Sequence, residues 1–86
     1  MIGAGCIPIY PPSARRAGIQ GEVVMRVQVA ADGAPTGISV LTSSGSDKLD
    51  RAVADALRAC RFHPATSGGR PIAGVTDVPY RFSLAN

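Results

Sequence analysis

Hydrophobic and polar positions repeat with two different periods along this chain, and the switches between them mark out its elements. Over residues 22–30 the period is two: Val23, Met25, Val27 and Val29 share one face, and Val24, Arg26, Gln28 and Ala30 the other. That alternation is the mark of a half-buried strand. Ala31-Asp32-Gly33-Ala34 follows, and Asp-Gly supplies the positive φ that a tight hairpin turn needs. Residues 36–42 then form the return strand, with Ile38 and Val40 facing the core. Beyond it Leu49, Ala52, Val53, Ala56, Leu57 and Cys60 recur at spacings of three and four, which predicts one apolar stripe on a helix of about 13 residues. Period two returns at the end, with Val78, Tyr80, Phe82 and Leu84 set against Asp77, Pro79, Arg81 and Ser83.

The residues between these runs act as punctuation. Residues 1–9 read as an irregular arm, and Pro8 with Tyr10-Pro11-Pro12 blocks both helix and sheet until Pro12, which can open a short helix over 13–17. Gly18 stops it as a C′ residue, and Ala14 and Ala17 are its packing positions. Residues 43–46, Ser-Ser-Gly-Ser, break the sheet. Asp47 is then placed to cap the long helix, Asp50 suits its positive end, and Asp55 lies four residues after Arg51, close enough to pair. His63-Pro64 closes the helical region, and residues 67–71 read as a turn or loop. In the last strand Pro79 cannot donate to a ladder, so that strand belongs at a sheet edge with one side free. The order is helix, strand, strand, helix, strand. It predicts an α+β fold with two helices on one face of a three-stranded antiparallel sheet, the 22–30 strand central, in strand order 2-1-3.

Composition narrows the function classes. A chain of 86 residues makes one domain, because a chain this short buries only roughly 60 to 65 per cent of its unfolded surface. No run approaches the ~20 apolar residues that span a bilayer, and the start lacks a signal peptide's basic and apolar regions. The net charge of +3 comes largely from scattered arginines with few aromatics between them, which argues against nucleic acid as the partner. Cys6 and Cys60 fit neither a CxxC redox motif nor a zinc ribbon. They are either two reduced, buried thiols or, in an oxidising compartment, a bond joining the arm to the long helix.

Candidate chemistry is thin. His63 is the only histidine and has no carboxylate neighbour in sequence, so a nucleophile–base–orienter set is missing and no enzyme is expected. Cys60 and His63 have a CxxH spacing, but a metal needs three or four ligands and only Cys6 could add to them. The glycines form neither GxGxxG nor a P-loop. No cofactor is expected.

Several short motifs fall in a specific order: Tyr10-Pro11, Ala14-Arg15-Arg16, Gly21-Glu22-Val23, Asp32-Gly33, Ser43-Ser44-Gly45, Leu49-Asp50 with Ala52, Arg61-Phe62-His63-Pro64-Ala65 and Val78-Pro79-Tyr80-Arg81-Phe82. Together, over residues 6–84, the chain resembles the C-terminal domain of TonB-family energy transducers, with residues 10–86 as that domain. The resemblance implies a periplasmic domain of an inner-membrane-anchored parent with a proline-rich spacer. Such a parent takes energy from the ExbB and ExbD motor and passes it to outer-membrane transporters of siderophores, cobalamin and similar ligands.

In that family a transporter's TonB box adds as a strand beside the last strand of the domain. Carried over, the partner-binding residues are Val75, Thr76, Asp77, Val78, Pro79, Tyr80, Arg81 and Phe82, together with Tyr10, Pro11 and Arg15 near the Tyr-Pro element. The resemblance also implies that Cys6 and Cys60 are bonded in the periplasm. A TolA-like interaction domain is the alternative, and a free edge strand also allows a strand-exchanged homodimer.

Overall fold

The computed structural model describes residues 6–84. The arm expected over 1–9 is therefore seen only from Cys6, and residues 1–5 and 85–86 lie outside the described residues. A short helix α1 (Pro12–Arg16) leads to β1 (Gly21–Val29) and β2 (Pro35–Thr42). The long helix α2 (Asp47–Arg58) follows, then two short strands, β3 (Ala65–Ser67) and β4 (Arg70–Ile72), and finally β5 (Gly74–Phe82). The main sheet is antiparallel in the order β2-β1-β5, the expected topology with β5 as the third strand.

The core lies between this sheet and the helices. Val23, Met25, Val27 and Val29 of β1 meet Leu49, Val53 and Leu57 of α2, and Val78 and Phe82 of β5 close the same cluster with Ala14, Phe62, Cys6 and Cys60. Burying a side chain of this size stabilises by about 1.5–3 kcal/mol, so the two periodic runs account for most of the driving force. The turn after β1 is also a clamp. Gly33 has φ +90°, its carbonyl accepts from the Phe62 amide at 2.9 Å, and a Cβ there would sit 2.4 Å from the Phe62 oxygen. Only glycine allows the hairpin to press this closely on the chain leaving α2.

Several local expectations are corrected. Ala17 is exposed, because α1 is a single turn and only Ala14 points inward. Val40 pairs with Met25 yet stays 49% exposed, since β2 is an outer strand, whereas Ile38 is packed on the core. Asp47 does not cap α2. The N-cap is Ser46, without a side-chain cap bond, and Asp47 is the first helical residue. Asp50 ties the preceding loop down instead: its carboxylate accepts from the Ser43 hydroxyl, from the Ser44 amide at 3.0 Å and from the Ser44 hydroxyl at 2.7 Å. Asp55 pairs with Arg58 at 2.8 Å rather than with Arg51, because three residues on in a helix is as near as four back. The stretch read as a turn is the tip of a hairpin, β3 paired antiparallel with β4 around Gly68-Gly69.

Candidate partner-binding edge

A three-stranded sheet has two outer strands, and here they differ. The β1–β2 register slips twice, between Val24 and Met25 and between Gln28 and Val29, and such irregularities disturb an edge and discourage further pairing. The β1–β5 ladder runs without a slip from Gly21↔Phe82 to Val29↔Gly74. Strand β5 is thus a regular nine-residue strand that, among the described residues, is paired on one side only.

Which main-chain groups of β5 face outward follows from pairing. Across the β1–β2 hairpin the Ala30 amide donates to the Ala34 carbonyl at 2.9 Å, and the Thr36 hydroxyl donates to the Gln28 carbonyl at 3.2 Å. The even-numbered residues of β1 therefore direct their main chain toward β2 and the odd-numbered ones toward β5. Their partners follow the same alternation. Gly74, Thr76, Val78, Tyr80 and Phe82 turn their amides and carbonyls to β1, while Val75, Asp77, Pro79 and Arg81 turn theirs outward. Pro79, opposite Val24, thereby loses no ladder bond, because its nitrogen faces the open side.

The side chains sort as the main chain does. Val78 and Phe82 are buried and Tyr80 half-buried, so they belong to the core rather than to a contact surface. Val75 is 61% exposed, Thr76 is half-buried, and Asp77, Pro79 and Arg81 are exposed. On the open face of the sheet Arg26 grips Asp77 with two bonds, Nε to Oδ1 at 3.0 Å and Nη2 to Oδ2 at 3.3 Å. Hydrogen bonding to this guanidinium holds the Asp77 carboxyl below its ordinary range and raises Arg26. The sequence pattern puts Arg26 on the open face but cannot pair it with Asp77, since the cross-strand register is not readable before the strands are aligned.

Two of the three residues expected near the Tyr-Pro element come to the far end of β5. The Tyr10 ring meets Phe82 edge-on with centroids 5.0 Å apart, its hydroxyl donates to the Ile19 carbonyl, and the Arg15 guanidinium lies over the ring at 5.2 Å. Pro11 is placed elsewhere, in a cleft with Ser13, Lys48 and Arg51 beside α2. Cys6 and Cys60 form a disulfide, which removes the CxxH spacing from metal chemistry. Among the described residues no cluster of three His, Cys, Asp or Glu side chains is placed to hold a metal ion, and no helix is long and apolar enough to cross a membrane.

The family model described as "Gram-negative bacterial TonB protein C-terminal" matches residues 7–84. The chain belongs to the TonB C-terminal family. It is 48% identical to Protein TonB of Xanthomonas campestris pv. campestris (strain B100) over 77 residues, which is 90% of this chain and 34% of that protein. It is 42% identical to Protein tonB2 of Pseudomonas aeruginosa, covering 90% of this chain and 28% of that one. The chain thus spans about a third of the length of these TonB relatives. The fold agrees with the solution structure of the Pseudomonas aeruginosa TonB C-terminal domain, with a TM-score of 0.82 at 31% identity over 100% of this chain and 87% of that one. A Helicobacter pylori TonB C-terminal domain gives a TM-score of 0.71 at 29% identity, covering 92% and 83%.

Proposed function

We propose that this domain is the receptor-binding end of a TonB-type energy transducer, and that it takes the TonB box of an outer-membrane transporter as an added strand along β5. The observation that carries the reading is the unslipped β5 ladder with the Pro79 nitrogen on its open side. A row of unpaired donors and acceptors at Val75, Asp77 and Arg81 is what an incoming extended peptide can use. Main-chain bonds would provide affinity with little selectivity, and the exposed Asp77 and Arg81 side chains would bias the choice of peptide. Tyr10 and Arg15 at the Phe82 end would meet the receptor beyond the peptide, with Pro11 reached on the helix side.

In this reading the domain sits in the periplasm at the end of an inner-membrane-anchored parent. The parent couples to ExbB and ExbD and delivers proton-motive force as a pull on the transporter. The domain performs no chemistry of its own. Titrating a 15N-labelled sample with a synthetic TonB-box peptide tests the docking mode. The expected result is amide shifts concentrated on β5, largest at Val75, Asp77 and Arg81; shifts confined to α2 would overturn it.

A further inference from the structure

The outward row on β5 is not uniform, and its two halves are unequal. Pro79 supplies a carbonyl but no amide, so it separates the donor–acceptor pairs of Val75 and Asp77 from that of Arg81. A strand lying along this edge finds two complete residues in succession only at the Val75–Asp77 end. At that same end a cavity of about 180 Å³ opens, lined by Val29, His63, Ala65, Gly74, Val75 and Thr76. Its walls are the chain between α2 and β3 on one side and the first turn of the ladder on the other. Gly74 keeps it open: a Cβ at that position would lie 3.1 Å from the Ala65 Cβ, against the opposite wall.

We infer that this cavity is a side-chain pocket for the added strand, taking one apolar residue, branched or aromatic, from the segment that pairs with Val75 and Asp77. The inference rests on strand addition at β5 and goes further, in locating the recognised residue. The geometry carries it in three steps. Side chains of a paired strand alternate between the two faces of the sheet, so those next to the outward main chain of Val75 and Asp77 include one on the helix side. The cavity is lined there by Gly74, Val75 and Thr76 of β5 itself, within one residue of the outward main chain of Val75. Its volume matches one side chain of Val to Phe size, and Val29 and Ala65 give it apolar walls beside the polar His63 and Thr76, so an apolar group that covers those walls is buried with gain. This position would then add discrimination to the bias set by the Asp77 and Arg81 side chains.

The test uses the 86-residue chain and a set of synthetic TonB-box peptides in which each residue in turn is Gly, Val, Leu or Phe, followed by calorimetry and by amide shifts. One position should gain about tenfold in affinity from Gly to Leu, as expected for burying a side chain of that size. Ala65→Leu, which fills the cavity from an exposed strand residue, should abolish that gain and leave the Gly peptide's affinity unchanged, while Ala65→Ser keeps the gain. Loss of folding in Ala65→Leu, read from its melt, would move the block to the smaller Ala65→Val with the same expectation. If β5 amides shift but no position discriminates, or if the gain survives filling, the pocket is refuted and strand addition stands. If β5 amides do not shift at all, strand addition itself is refuted.

Discussion

At the scale of single residues, the polar contacts that matter are few and specific. Asp50 holds the loop between β2 and α2 through two serine hydroxyls and an amide. Partial burial pushes its carboxyl up, but the bonds from Ser43 and Ser44 outweigh this and hold it below the ordinary carboxylate value. A carboxyl with a depressed folded pKa adds stability that is present above its unfolded pKa and lost as pH falls through the folded one. Asp50→Asn is therefore expected to cost about 1–2 kcal/mol at neutral pH, read from urea unfolding. The difference from the parent should shrink as pH drops below about 4. An equal difference at all pH values would mean that the carboxylate charge is not what matters. That Asp50 rather than Asp47 ties the loop was not legible in the sequence. Both are acids in the first turn, and which one reaches back depends on the loop's path, which Gly45 at φ +89° sets.

At the scale of elements, periodic burial decided what could be read. Strands β1 and β5 and helix α2 each bury one face, so their apolar spacing revealed them, and Pro79 placed β5 at an edge. Strands β3 and β4 carry only exposed residues, so no alternation marked them, and Gly68-Gly69 showed as a turn alone. The site was legible to the same degree. The stretch 75–82 could be singled out, but its division into inward and outward residues needed the register with β1. Pro79 also has an element-scale role as a guard, since an edge missing a donor is a poor template for another copy of itself. Pro79→Val restores that donor in a strand-favouring residue in each of two paired copies, and sedimentation should then find self-association at a concentration roughly 10- to 100-fold lower, the worth of two hydrogen bonds. An unchanged association would mean that Pro79 does not guard the edge.

At the scale of the whole molecule, the Cys6–Cys60 bond joins the arm to the end of α2 across 54 residues of sequence. Closing a loop of that length is worth about 4 kcal/mol in the chain-entropy model, a large share of the stability of a domain this small. Reduction, or Cys6→Ser with Cys60→Ser, should lower unfolding stability by about that amount in urea titrations. The fold should survive at room temperature, because β1, α2 and β5 supply most of the buried cluster and the arm adds only Cys6 to it. A reduced domain as stable as the oxidised one would show that the arm is held by its packing alone. The pairing itself could not be read from spacing, which left two open thiol states; the family resemblance implied it, and the burial of both sulfurs in one cluster gives it a place in the core.

All three scales meet on one claim, that β5 offers alternate main-chain groups to another chain. Amide hydrogen exchange along β5, with and without a TonB-box peptide, tests it most directly. Slow exchange is expected at Thr76, Val78, Tyr80 and Phe82 in the free domain, fast exchange at Val75, Asp77 and Arg81, and slowing of Val75 and Asp77 when peptide is added. Uniform protection along β5 in the free domain, or peptide binding that leaves Val75 and Asp77 fast, would contradict it.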